Sequence, residues 1–166
     1  MNKKLIAILF MMAPLAIFAQ KFGHLNSADI MQAMPEYKTA QTEIQNLEKQ
    51  YSNELQMMEA ELGKKSEAYE KEKATLPANI AQRRETELQE IYSRMQQFYQ
   101  DSQVKLQQAS QEKMNLLVEK ITKAIKEVGV AGGYLYIFDT SSGIPYISET
   151  LSTDVTGAVK TKLGIQ

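Results

Sequence analysis

The chain has 166 residues, no cysteine, and 19 Lys and Arg against 20 Asp and Glu. This length suits one domain. The missing thiols exclude a disulfide framework, a thiolate nucleophile and a Cys-ligated metal. The balanced charge lacks the basic bias of a nucleic-acid binder.

Lys3 and Lys4 precede an uncharged apolar run, Leu5 to Phe18, interrupted only by Pro14. Ala19 follows as a small residue at the cut, which completes the layout of a secretory signal peptide. The run is about 14 residues, whereas about 20 are needed to span a bilayer as a helix. Residues 1–19 are therefore read as a signal peptide cleaved between Ala19 and Gln20, with an uncleaved membrane anchor as the alternative. Without Lys3 and Lys4, 17 basic residues face 20 acidic ones, so the mature chain is near −3. That gives no bulk attraction to an anionic membrane.

Lys21 to Asn26 alternates as Phe22, Gly23, His24, Leu25, which predicts a short edge strand. A short helix is expected from Ser27 to Met34, capped by Asn26 or Ser27. Pro35 closes it and suits the first turn of the next helix.

From Glu36 to Val128 the chain is rich in Gln, Glu, Lys, Ala, Met and Leu, all good helix formers. Tyr37, Ala40, Ile44, Leu47, Tyr51, Leu55, Met58 and Leu62 recur every 3 or 4 residues and form a narrow stripe. The interior breakers are Gly63 and Pro77. Pro77-Ala78-Asn79 reads as a turn with Asn79 capping the helix that follows. A second stripe runs through Leu88, Ile91, Met95, Phe98, Ser102, Leu106 and Ala109, and then through Leu116, Leu117, Ile121, Ala124 and Val128.

A hairpin folded at Pro77 pairs residues whose numbers add to roughly 155, so that stripe meets stripe. Met58 then faces Phe98, and Tyr51 lies near Val104. The tip, from Gly63 to Glu87, is poor in apolar residues and is read as a solvated face held by i,i+4 ion pairs. Met57, Met58, Tyr92, Met95, Phe98 and Tyr99 exceed what a two-helix seam needs. They are candidate contacts for apolar segments of other chains, with plain seam packing as the alternative.

Gly129 is expected to end the second helix and Gly132-Gly133 to form a flexible break. Tyr134 to Phe138 is an aromatic strand, Thr140 to Gly143 a turn, and Ile144 to Ile147 a second strand at an edge because of Pro145. A last helix, Asp154 to Leu163, is capped by Ser152 or Thr153 and ended by Gly164. So small a strand-bearing body is marginal alone, which points to association of several copies. Phe22, Leu25, Tyr134, Tyr136, Phe138, Ile144 and Tyr146 are candidate oligomerisation residues. A monomer with its strands packed on its own hairpin is the alternative.

No catalytic constellation is legible. His24 is the single histidine and has no partner in the sequence pattern. The glycines form no phosphate loop, and the acidic residues alternate with Lys and Arg and form no metal cluster. Asp139 and Asp154 are explained by turn and cap roles. No catalytic residue, metal or cofactor is assigned.

The order of these features resembles the Skp (OmpH) family. A leader runs into Lys21-Phe22-Gly23-His24-Leu25-Asn26-Ser27, then Ile30-Met31-Gln32-Ala33-Met34-Pro35-Glu36. The long hairpin follows, and the chain closes with the aromatic strand, Asp154-Val155-Thr156, Val159 and Leu163-Gly164. The resemblance covers essentially the whole mature chain. It implies an α+β, mostly α protein: a long antiparallel coiled-coil hairpin projecting from a small β-rich oligomerisation body. Residues 20–35 and 129–166 would form the body, and 36–128 the arm, with its tip near Pro77.

The resemblance further implies a periplasmic homotrimer that holds unfolded outer-membrane proteins between its arms without ATP. The best-known members are strongly basic. The slightly acidic mature chain therefore argues against membrane or lipopolysaccharide contact by the tips. A structural or docking coiled-coil protein of the cell envelope is the rival reading; export-system adaptors carry such hairpins inside larger β domains than these flanks provide.

Overall fold

In the computed structural model the described residues are 20–165; the expected signal peptide and its cleavage point at Ala19 lie outside or at the edge of them. The chain runs β1 (Lys21–Leu25), α1 (Ser27–Ala33), α2 (Pro35–Glu72), α3 (Ala78–Gly132), β2 (Tyr134–Asp139), a 3-10 turn (Thr140–Ser142), β3 (Ser152–Asp154) and α4 (Thr156–Lys162). The fold is α+β and mostly helical.

Asn26 caps α1 by accepting hydrogen bonds from the amides of Ala28 and Asp29 at 3.0 and 3.2 Å, which satisfies two of the donors that a helix start leaves unpaired. Pro35 occupies the first turn of α2, where its missing N–H costs nothing.

Helices α2 and α3 are 38 and 55 residues long, about 57 and 83 Å at 1.5 Å per residue. They form the hairpin. Its cross-helix partners are Glu36 with Lys120, Glu43 with Lys113, Lys65 with Glu87, Tyr69 with Glu85 and Glu72 with Arg84. The residue numbers of these pairs add to between 152 and 156, close to the register read from the stripes. One seam contact differs. Tyr51 packs edge-on against Phe98 with ring centroids 5.8 Å apart, and Val104, expected beside Tyr51, is exposed. Ser102 is buried instead, and its hydroxyl donates to the Phe98 carbonyl one turn back at 2.6 Å, which removes the need for a cross-helix partner.

Further expectations are corrected. Helix α2 ends at Glu72 and α3 begins at Ala78 with Pro77 in the cap position, so Asn79 lies inside the first turn and caps nothing. Gly129 stays within α3, where a Cβ would lie 3.3 Å from Ile137 Cδ1; the left-handed cap passes to Gly133, at φ 64°. Lys21 fixes the same corner by donating to the Gly132 carbonyl at 3.2 Å while its ammonium sits 4.3 Å from the centre of the Tyr134 ring.

The sheet is three-stranded, in the order β2-β1-β3, with both pairings parallel. β1 is therefore the central strand and not an edge. The whole hairpin serves as the crossover from β1 to β2, as a parallel pair requires. The third strand is Ser152–Asp154; residues 144–147 carry no strand. The last helix starts at Thr156, with Val155 in its cap position, and Ser152 and Thr153 belong to β3. Gly164 follows it with φ 74°.

The core joins Leu25, Ile30 and Met34 from the N-terminal end to Leu117, Ile121 and Ala124 of α3 and to Val155 and Val159. The base of α3 is thus part of the core that the sheet covers.

Candidate functional site

Two surfaces stand out. The first is the outer face of the sheet. Along β1, Gly23 and Leu25 are buried while Phe22 and His24 are partly exposed, so alternation sends Phe22 outward. Phe22 lies opposite Tyr136 in the β1–β2 register. Their rings stack at 6.4 Å and 4°, and Tyr136 continues to Phe138 at 6.0 Å. Leu135, Tyr136 and Phe138 are exposed, and so are Tyr146 at 79% and Leu151 at 77%.

Phe22, Phe138, Ile144, Tyr146, Ile147 and Leu151 line one open cleft of about 540 Å³. Of the expected oligomerisation residues, Phe22, Phe138, Ile144 and Tyr146 line this cleft, and Tyr136 adjoins it through its ring contacts with Phe22 and Phe138. Leu25 is 1% exposed and belongs to the chain's own core, and Tyr134 is half-buried against that core. Leu151 was not legible as a member, because it lies in the turn just before the strand Ser152–Asp154, which is itself polar and three residues long.

Polar contacts fix this region. The His24 Nδ1 lies 2.8 Å from the Ser152 hydroxyl, so His24 has a partner that the sequence did not reveal, supplied by the β1–β3 pairing. Burial alone would raise the Asp139 carboxyl. Hydrogen bonds from the Ser27 hydroxyl and the Ser27 and Ser141 amides outweigh it and hold the group below the usual carboxylate range. Asp154 is lowered by its hydrogen bonds from Thr156, including the amide at 2.8 Å, with help from nearby His24. Both aspartates thus take the turn and cap roles expected of them.

A group with a depressed folded-state pKa stabilises the fold above its unfolded value and loses that contribution as pH falls. The body is therefore expected to hold its stability from neutrality down to about pH 4 and to lose part of it as both groups protonate below that, a small loss because Asp154 is exposed and screened by water. Denaturation midpoints at pH 7, 4 and 3 check this. Asp139→Asn combined with Asp154→Asn should flatten the acid limb.

The second surface is the middle of the arm. Met57, Tyr92 and Tyr99 are exposed, with Met57 at 60% and Tyr99 at 54%. Met58, Met95 and Phe98 are half-buried in or beside the seam. Met57 and Met58 border a small cleft with Glu54, Glu61, Ile91 and Arg94, whose apolar floor is the buried Ile91. The Gln96 amide donates to the Tyr92 hydroxyl at 2.8 Å. The six expected residues thus divide into an outward trio and a seam trio.

The tip differs from the i,i+4 expectation. Its local pairs, Lys65 with Glu61 and Lys73 with Glu70, are long at 3.9 Å. The tighter contacts cross between helices: Lys65 with Glu87, Tyr69 with Glu85, and Glu72 with Arg84 at 3.7 Å. The Tyr69 phenol is pushed up to about 12, chiefly because it donates a hydrogen bond to Glu85.

Among the described residues there is no group of His, Asp and Glu that could hold a metal ion, and no helix long and apolar enough to cross a membrane.

The arrangement has relatives. The chain is 28% identical over 154 residues to the chaperone protein Skp of Yersinia enterocolitica, covering 89% of this chain and 91% of that one. It is 30% identical over 157 residues to the chaperone protein Skp of Vibrio cholerae, covering 90% and 89%. The crystal structure of an OmpH-like protein from Caulobacter crescentus superposes with a TM-score of 0.76 over 87% of this chain and 83% of that chain; at 17% identity this likeness speaks to the fold alone. The outer membrane protein (OmpH-like) family matches residues 21–163. The order of motifs in the sequence, the hairpin on its three-stranded body and these matches agree: the chain belongs to the Skp/OmpH-like family.

Proposed function

We propose that the mature chain is a periplasmic chaperone that holds unfolded outer-membrane proteins, without nucleotide, in a space enclosed by the arms of a homotrimer. The chain is not an enzyme, since the family consists of chaperones. The observation that carries the reading is the placement of two apolar surfaces on one chain. An aromatic sheet face sits at the body, and Met57, Tyr92 and Tyr99 point outward on the arm.

The division of labour follows from their chemistry. A stacked, contiguous aromatic face suits association with copies of itself, because such rings contribute both area and geometry. Thioether and phenol side chains spread along a helix suit weak contact with many sequences, because they adapt to irregular partners. Unfolded barrel proteins expose alternating apolar residues until they reach a membrane, and several weak contacts tethered on one frame hold them by avidity. The expected signal peptide supports delivery to the periplasm.

The test is complex formation. Urea-unfolded outer-membrane barrel protein is diluted into the mature protein and passed over a sizing column. The reading expects co-elution of client with a trimer of this chain; elution of the client only as aggregate sinks it. Met57→Ser, Tyr92→Ser and Tyr99→Ser together should weaken client affinity about three- to tenfold while leaving assembly mass unchanged, since after ordering costs each outward contact is worth about 0.2–0.5 kcal/mol. Titration with labelled client checks both halves.

A further inference from the structure

We propose that the arm tip is a polar latch, closed by Tyr69 and its flanking cross-helix pairs, that opens and closes independently of the arm below it.

The distribution of buried side chains carries this. Along α2 the buried residues are Ala40, near the base, and Tyr69, near the tip. Along α3 they are Ile91, Ser102, Leu117, Ile121 and Ala124, all on the body side of the Tyr69–Glu85 contact. Beyond Ile91, towards the turn, a single fully packed side chain joins the two helices. It is an aromatic ring 4% exposed whose hydroxyl donates to Glu85 on the opposite helix.

Cross-helix ion pairs stand on either side of this ring. Lys65 with Glu87 lies towards the body, and Glu72 with Arg84 lies towards the turn. All four charged side chains are at least 38% exposed. Exposed pairs are individually weak and are screened by salt. A segment with few apolar contacts is where local opening is expected within an otherwise stable structure. The latch is thus strong enough to register the helices and weak enough to reopen. The nature of the contacts differs from that at the base, where Leu117, Ile121 and Ala124 are buried in the core. Salt, which screens charges and leaves apolar burial in place, should therefore separate tip from base.

Hydrogen exchange of the full mature protein tests the latch directly and does not depend on any client. Tyr69→Ala should speed exchange of amides 66–72 and 80–87 by about tenfold, the factor corresponding to about 1.4 kcal/mol of local stability. Amides near Ile121 and Val159 should be unchanged. Raising NaCl from about 0.05 to about 1 M should speed the same tip amides in the wild type, because the screening length falls from above 10 Å to about 3 Å. Tyr69→Phe, which keeps the ring and loses the hydrogen bond, should fall between wild type and Tyr69→Ala. Glu85→Gln, which keeps an acceptor, should do less than Tyr69→Ala. Tip exchange that ignores both Tyr69→Ala and salt overturns the proposal. So does acceleration that spreads equally to the amides around Ile121, because the arm would then unzip as one unit. Loss of client holding with a normal exchange pattern would count against the proposed function and leave the latch standing.

Discussion

Replacing Tyr136 and Phe138 with Lys is expected to reduce the assembly to single chains. Both rings are exposed in the isolated chain, at 58% and 46%, and both continue the stack that begins at Phe22. In the proposed trimer they are covered by neighbouring copies. Each substitution removes an aromatic anchor, typically worth 2 kcal/mol or more at the centre of an interface. It also places an ammonium where burial without a partner costs several kcal/mol. Two such changes should raise the dissociation constant by about three orders of magnitude or more. Neither ring belongs to the inner core, but so small a body is marginal alone, so the separated chains are expected to be less stable than the assembly. Sedimentation at micromolar protein checks the mass and circular dichroism checks the fold. A doubly substituted protein that keeps the wild-type mass would place the association surface elsewhere.

Ile30→Ala should cost about 2–5 kcal/mol, the range for truncating a fully buried aliphatic side chain. Ile30 is 0% exposed and sits on the two-turn helix α1, in the cluster with Leu25, Met34, Ile121 and Val159. That cluster is small. A loss of this size is a large fraction of the 5–15 kcal/mol that typically separates folded from unfolded states. The expected result is a body that melts well before the wild type, read by urea denaturation with hydrogen exchange at Leu25 and Val159 as the local probe. An unchanged midpoint would show that the cluster is not the centre of the body's stability.

The hairpin was legible because its information is periodic. Two stripes with 3- and 4-residue steps, joined at one proline turn, determine which residues face each other, and the pairing of Glu43 with Lys113 lies within one residue of that register. The cap at Asn26, the proline start of α2 and the aromatic strand at Tyr134 were legible for a related reason, since each is a local preference of the backbone.

The sheet order was not local. β1 looked like an edge because it is short, yet parallel partners come to it from residues 134–139 and 152–154, more than a hundred positions away. β3 is not legible because Ser152-Thr153-Asp154 is short and polar, with Thr153 as its one strand-favouring residue, and is held by its pairing with β1. The more strand-like Ile144 to Ile147 instead contributes to the open cleft beside Phe22 and Phe138. Gly129 is not the helix end, which lies at Gly132 with Gly133 in the left-handed cap; at Gly129 the close neighbour is Ile137, brought there by tertiary packing that no local pattern shows. At the tip, composition showed charge, but only the register could show that Tyr69 and Glu85 meet across the seam.

The most direct measurement of the central claim is light scattering during dilution of a urea-unfolded outer-membrane barrel protein into buffer without nucleotide. With the mature protein present in molar excess of trimer over client, scattering should stay near baseline and the client should remain competent to fold when lipid vesicles are added. Scattering that rises as it does with buffer alone would contradict the account.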